Sequence, residues 1–133
     1  FDDVLDRLVS HALELTPRLN EITISRTGIL GSVDPRVATP LSLVITELIY
    51  NALEHGLASE GTELTIAIER IDATAHVTII DDGVGLPAGF DLAQSANLGL
   101  QIVRTLTENE LHGTLRLISD SGQTRAELTF PLN

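Results

Sequence analysis

The sequence predicts an α+β domain, a two-layer sandwich in which a mixed sheet, built largely of antiparallel hairpins, is covered on one face by about three helices. Three observations carry that prediction. The element order read along the chain, α-β-α-β-β-loop-α-β-β, keeps hairpins apart from helices instead of alternating single strands with helices. The 133 residues are 43% hydrophobic with a mean hydropathy of +0.20, which suits one compact domain spanning 1–133. Aromatic residues make up only 3% of the chain and Trp is absent, so the core must be aliphatic, a composition commoner in mixed αβ domains than in small β modules.

Each element has its own signal. Residues 2–15, DDVLDRLVSHALEL, place Val4, Leu5, Leu8, Val9, Ala12 and Leu15 on one helical stripe, with Asp residues in the first two turns where the helix dipole favours them. In 20–28, NEITISRTG, Ile22 and Ile24 alternate with polar residues as in a short strand that Gly28 ends, and a loop rich in Gly, Ser and Pro follows to about Thr39. The pair Thr39-Pro40 predicts an N-cap and a first helical residue, and Gly56 stands where a C-terminal cap belongs, giving a helix over 40–55. The alternating runs 62–71 and 74–81 flank Asp72-Ala73 and read as a hairpin. Residues 82–97 hold three glycines, a Pro and no period, so they form a loop, and 98–109 is a third helix. A second hairpin, 114–119 and 124–132 around DSGQ, closes the sheet.

Charge and composition exclude several function classes. Nineteen acidic residues against eight basic ones give a net charge of −11, which repels nucleic-acid phosphates and anionic lipid, so neither nucleic-acid binding nor direct membrane contact is expected. All eight basic residues are Arg, so the chain lacks the Lys of a P-loop. The absence of Cys removes disulfides, thiol chemistry and thiolate zinc sites and fits a reducing, cytoplasmic compartment. No apolar run is as long as a membrane span. The opening FDDVLDRLV has neither an initiator Met nor a basic leader, as expected of a piece of a longer protein.

Three segments carry the chemistry. On the helix around ITELIYNALEHG, residues 45–56, Glu47, Asn51 and His55 recur every fourth position along the edge of the buried stripe. In VTIIDDGVGLP, 77–87, a strand runs into two carboxylates and then Gly83-Val84-Gly85, where the lack of a Cβ lets a ligand approach the backbone. The letters GVGLPA also satisfy a loose dinucleotide pattern, but no helix opens on these glycines, which argues against that reading. In ANLGLQIV, 96–103, Gly99 sits at the start of a helix, whose free N–H groups and positive dipole end suit polyphosphate in a chain without Lys. The compensating cation is then Mg²⁺ from solvent, for which an Asn carbonyl and phosphate oxygens make a suitable shell.

In this order and spacing the segments resemble the ATP-binding domain of two-component sensor histidine kinases, within the superfamily that includes gyrase, Hsp90 and MutL, over roughly residues 39–131. TELIYNALEHG is similar to the family's N box, DDGVG to its first glycine box and NLGLQIV to its second. The resemblance implies the Bergerat fold, with ATP and Mg²⁺ as cofactors. It makes Glu47 the catalytic acidic residue, Asn51 the Mg²⁺ ligand, Asp81 the adenine reader, and Gly83 and Gly85 the backbone wall of the base pocket. It sets Gly99 and Leu100 against the phosphates and gives Thr124 and His55 phosphate contacts. Asn97 departs from the family by replacing the second box's first glycine, and Glu54-His55 stands where many members have Lys and an aromatic residue. The implied partners are a His-bearing dimerisation domain upstream and a response regulator. The alternatives are an anti-sigma-type serine kinase and a nucleotide-binding module without transfer. His11, His76 and His112 have no metal-ligand spacing and are read as structural.

Overall fold

The computed structural model describes residues 1–15, 21–57, 61–86, 90–92, 97–120 and 122–132, with backbone alone at 55, 56 and 120. Helix α1 (Asp2–Glu14) precedes strand β1 (Thr23–Thr27) and helix α2 (Pro35–Asn51), which runs into a π-helical turn at Ala52–Gly56. The hairpin β2 (Glu63–Ile71) and β3 (Thr74–Asp81), helix α3 (Leu98–Asn109), and the hairpin β4 (Thr114–Asp120) and β5 (Gln123–Pro131) complete the chain. The five strands lie in the order β1-β2-β3-β5-β4, parallel between β1 and β2 and antiparallel elsewhere. This is the mixed, hairpin-dominated sheet and three-helix layer that the sequence predicts.

Period-two alternation sorts the strand residues onto two faces. Leu64, Ile66, Val77, Ile79, Leu128 and Phe130 are buried under the helices, whereas their neighbours Thr65, Thr78 and Thr129 are half-buried. From the other layer α2 contributes Leu41, Val44, Ile45, Leu48 and Ile49, α1 contributes Leu5 and Ala12, and α3 contributes Val103. The core is aliphatic apart from Phe130 at one end.

Two local expectations are corrected. Helix α2 begins five residues before Pro40: Asp34 is its N-cap, accepting from the Arg36 N–H at 2.8 Å, and Pro35 holds the first turn. The two Asp/Thr-Pro pairs offer the same start signal; the helix starts at the earlier one and carries Pro40 buried inside it, where the missing N–H leaves the carbonyl of exposed Arg36 without its helical partner. Its far end widens at Ala52–Gly56, where the Leu57 N–H reaches the Ala52 carbonyl at 2.7 Å, five residues back. On α1, Leu15 lies beyond the last turn and is 61% exposed, while Leu13 packs on the core instead.

The acidic first turns of α1 do more than complement its dipole. Asp2 accepts the Leu30 and Gly31 N–H groups, both at 2.9 Å, and Asp6 takes a two-bond contact from Arg26 on β1 at 2.6 and 3.1 Å. Burial raises the Asp2 carboxyl, but those two N–H groups with the nearby amino terminus and Arg26 outweigh it and hold the group below its ordinary value. Asp2→Ala therefore strands two backbone donors and is expected to cost about 1–3 kcal/mol in urea unfolding. Because the folded-state value is depressed, that contribution is present above the unfolded value and lost as pH falls through the folded one. The gap between wild type and variant should narrow as pH falls below about 4.

Candidate functional site

Strand β3 delivers Asp81 to the helix-covered face at its last position. Register places Asp81 opposite Thr124 on β5, and Thr124 opposite Ser119 on β4, so one rung crosses three strands. Asp81 is 4% exposed, and its Oδ1 accepts the Gly83 N–H at 3.0 Å. Burial pushes its carboxyl up, the Gly83 N–H works against that, and the neighbouring Asp82 charge adds to the rise. Asp82, one residue on, points elsewhere: its Oδ1 accepts from Thr62 and Glu63 N–H at 2.9 Å each and ties down the start of β2. Of the two carboxylates noted in the sequence, one faces the site and the other is a turn staple.

Between this rung, the end of α2 and the start of α3 lies a cavity of about 260 Å³. Its apolar walls include Leu48, Ile79, Leu100, Leu117 and Ala126, and its polar groups include Asn51, Asp81 and Thr124. Asn51 Nδ2 and Thr124 Oγ1 are buried without a hydrogen-bond partner. Each such atom costs about 1–3 kcal/mol while unmet, and both line the same cavity, the pattern of a site kept for a polar ligand. Gly85 closes one side with φ +79°, and a Cβ there would come 2.9 Å from Ser119 Oγ. The same hydroxyl accepts the Leu86 N–H at 3.3 Å.

Helix α3 meets the cavity end-on. Asn97 is its N-cap, with Oδ1 accepting the Leu100 N–H at 3.1 Å, and both Asn97 and Leu100 line the cavity. Glu47 does not. With Gly99, Leu43, Ile102 and Leu106 it lines a separate recess of about 130 Å³.

The structure thus brings Asn51, Asp81, Gly85, Leu100 and Thr124 to one cavity and sets Gly83 beside it as the donor to Asp81. Glu47 and Gly99 lie across the first turn of α3. The His55 side chain lies outside the described residues, as do 87–89 and 93–96 of the predicted loop. Sequence reading missed Ser119, which no motif marks, and the cap made by Asn97, which the preference for Asn before an apolar helical run could have revealed. His76 shares a 3.3 Å contact with the Thr129 hydroxyl, His11 is exposed on α1, and His112 sits at the turn after α3 with φ 55°. Among the described residues no three His, Cys, Asp or Glu side chains cluster as metal ligands, and no helix is long and apolar enough to cross a membrane.

Residues 36–133 match the family described as histidine kinase-, DNA gyrase B- and HSP90-like ATPase. The chain belongs to this family. The ATPase domain is 46% identical over 117 residues to the sensor histidine kinase PdtaS of Mycobacterium tuberculosis, covering 86% of the chain and 23% of that protein. It is 42% identical to PdtaS of Mycolicibacterium smegmatis, covering 98% of the chain and 27% of the relative. It therefore spans about a quarter of these relatives. Among solved structures, the histidine kinase domain of the Erythrobacter litoralis EL346 blue-light activated histidine kinase superposes with a TM-score of 0.86 at 25% identity, over 96% of this chain and 59% of that one. The catalytic domain of histidine kinase ThkA shares the fold, with a TM-score of 0.81 at 18% identity over 99% and 93% of the two chains.

A buried carboxylate with a raised value burdens the ATPase domain when it is empty. Its folded-state pKa lies above its unfolded one, so its ionised form opposes folding above that range and is neutral in effect below the unfolded value. Asp81→Asn keeps an acceptor for the Gly83 N–H and removes the charge. The empty variant should melt at a higher temperature than wild type at pH 7, by a margin that disappears below about pH 4, and a lower melting temperature at pH 7 would contradict this account.

Proposed function

We propose that this domain binds Mg²⁺-ATP in the cavity between the Asp81–Thr124 rung and α3, and donates the γ-phosphate to a His on a separate dimerisation domain of a sensor histidine kinase. The observation that carries the reading is the convergence of one nearly fully buried carboxylate and two orphaned polar atoms on a single apolar cavity. A planar base fits that lining: Ile79, Leu117 and Ala126 cover its faces, and Asp81 accepts its exocyclic amino group. The phosphates then run toward the first turn of α3, where backbone N–H groups and the dipole meet negative charge that this acidic chain cannot meet with Lys.

Asn51 fits a role as metal ligand. Its carboxamide has an unmet edge on the cavity, a half-turn exchanges Oδ1 and Nδ2 there, and Mg²⁺ keeps most of its shell from water and phosphate rather than from a cluster of carboxylates. The bound ion would neutralise phosphate charge. Glu47 lies beyond the α3 turn, where an acceptor imidazole arriving from outside can be hydrogen-bonded by its carboxylate. In the transfer, the imidazole nitrogen forms a bond to Pγ, the bond from Pγ to the bridging oxygen breaks, and ADP departs with that electron pair. Glu47 accepts the acceptor's N–H proton. The mycobacterial relatives are named sensor histidine kinases, which supports a protein of that kind around this domain, with a response regulator as its onward partner and the cytoplasm as the place where ATP is supplied.

The base assignment is tested by calorimetry. Guanine presents a carbonyl oxygen where adenine presents the amino group, so ATP and ADP should bind at least about tenfold more tightly than GTP, from the roughly 1–3 kcal/mol cost of an unmet buried acceptor. Equal affinities would discard Asp81 as the base reader. The roles on α2 separate by mutation. Asn51→Ala should weaken Mg²⁺-ATP binding itself, whereas Glu47→Gln should leave binding nearly intact and slow phosphotransfer in the longer protein by ~10²–10⁴. A Glu47→Gln protein that transfers at the wild-type rate would remove this carboxylate from the mechanism.

A further inference from the structure

Gly99 has no positive φ to accommodate and does not line the nucleotide cavity, although its neighbours Asn97 and Leu100 do. It faces the other side of the α3 turn, in the recess that holds Glu47. A Cβ built on Gly99 would overlap Glu47 Oε1 and lie 2.8 Å from Glu47 Cδ, so the carboxylate occupies the place where a side chain would be. The next nearest atom, Asn97 Oδ1, is 3.2 Å away, and no backbone atom is among the three nearest. The severe overlap is with the mobile end of the Glu47 side chain alone, while the Asn97 cap oxygen would have to give by a few tenths of an ångström. Resting on the proposed role of Glu47, we infer that Gly99 is a positioning residue: its missing side chain is the seat that fixes the Glu47 carboxylate against the first turn of α3, and phosphate approach is not what demands the glycine.

The seat has a physical rationale on both sides. A glycine at the second position of α3 lets the carboxylate come up to the helix start, where the dipole favours an anion and restricts where it rests. The apolar neighbours Leu43, Ile102 and Leu106 offer the carboxylate no competing donor from their side chains. A Cβ at position 99 would push the Glu47 carboxylate off this seat, whereas the Asn97 cap oxygen needs to give by only a few tenths of an ångström and Gly99 itself does not line the cavity. Displacements of about 1 Å in a reacting group suffice for losses of about 10²-fold in rate.

The test uses Gly99→Ala, Glu47→Gln and the double variant in the full-length protein with its own acceptor, with ATP affinity and melting temperature measured beside transfer. Gly99→Ala should keep ATP affinity within about twofold and leave the melting temperature unchanged or higher, since Ala is the better helix former, and should slow phosphotransfer at least about tenfold. The double variant should be no slower than Glu47→Gln alone, because both changes act on one carboxylate. A parallel loss of ATP affinity in Gly99→Ala would overturn the inference and return Gly99 to the phosphate site, as would a double variant slower than either single change or a melting temperature several degrees lower. Wild-type transfer by Gly99→Ala while Glu47→Gln is slow would overturn the seat alone. Wild-type transfer by Glu47→Gln would remove the proposed catalytic role and the seat with it.

Discussion

The register of β3 against β5 is the constraint on which the site depends. Side chains alternate faces along a strand, so a slip of one residue would turn Asp81 out to the uncovered face and bring Asp82 under the helices. The register is supported by the burial of Ala75, Val77 and Ile79 with Ala126, Leu128 and Phe130, an alternation that excludes any slip of one residue. The same alternation that builds the core therefore drives a carboxylate into it at the strand's end. Asp82 secures the arrangement from the other side by holding the start of β2, and the two adjacent Asp residues divide structure from function between them.

The helices meet that rung at their ends. Asn51 is the last α-helical residue before the backbone widens into a π-turn, and Asn97 caps the helix that faces it. Helix ends carry unsatisfied backbone groups and partial charge, so placing two of them over one cavity gathers polar capacity without adding charged side chains. The cost shows as orphaned atoms on Asn51 and Thr124 and as a carboxyl whose value burial has raised. Apart from the Thr107 hydroxyl, which is buried unmet on α3 outside the cavity, these departures from a well-satisfied interior coincide at one place, as expected of a site kept ready for a ligand.

Much of this was legible in the chain, for physical reasons that also mark the boundary of what was not. Strand β3 and helix α3 have the bounds that alternation and helical period predict, β3 because Asp72-Ala73 is a local turn signal and α3 because its helical period begins where the aperiodic loop ends. The start of α2 was misplaced because Asp34-Pro35 and Thr39-Pro40 carry the same local signal, and only packing of the first turns decides between them. At the site, Asn51, Asp81, Gly85 and Leu100 come from motifs whose spacing is local, whereas Thr124 is identified only through the family resemblance. Ser119 was invisible because its relation to Gly85 and Leu86 spans more than thirty positions and arises from strand pairing alone. The division of Glu47 from Asn51 was hidden for a related reason. Four residues turn a helix slightly past a full circle, so a row that looks continuous in sequence straddles the end of α3, with one member on each side.

The charge of the chain explains why the site takes this form. A domain at −11 repels an anionic nucleotide at long range and has no Lys to reverse the field locally. Among the described residues no Arg lines the cavity, and Arg26, Arg36, Arg104 and Arg116 pair with Asp6, Asp34, Glu108 and Glu127. Attraction must then come from terms that act at contact: apolar burial of a ring, hydrogen bonds from neutral groups, and backbone N–H groups at a helix end. Such terms fall off within a few ångströms and reward shape, so in the proposed complex selectivity would rest on the fit of a base to the Asp81 carboxylate. On the proposed reading a highly charged ligand enters such a site together with a cation that offsets it, which would couple the Asn51 edge to the Asp81 pocket through the ligand they share.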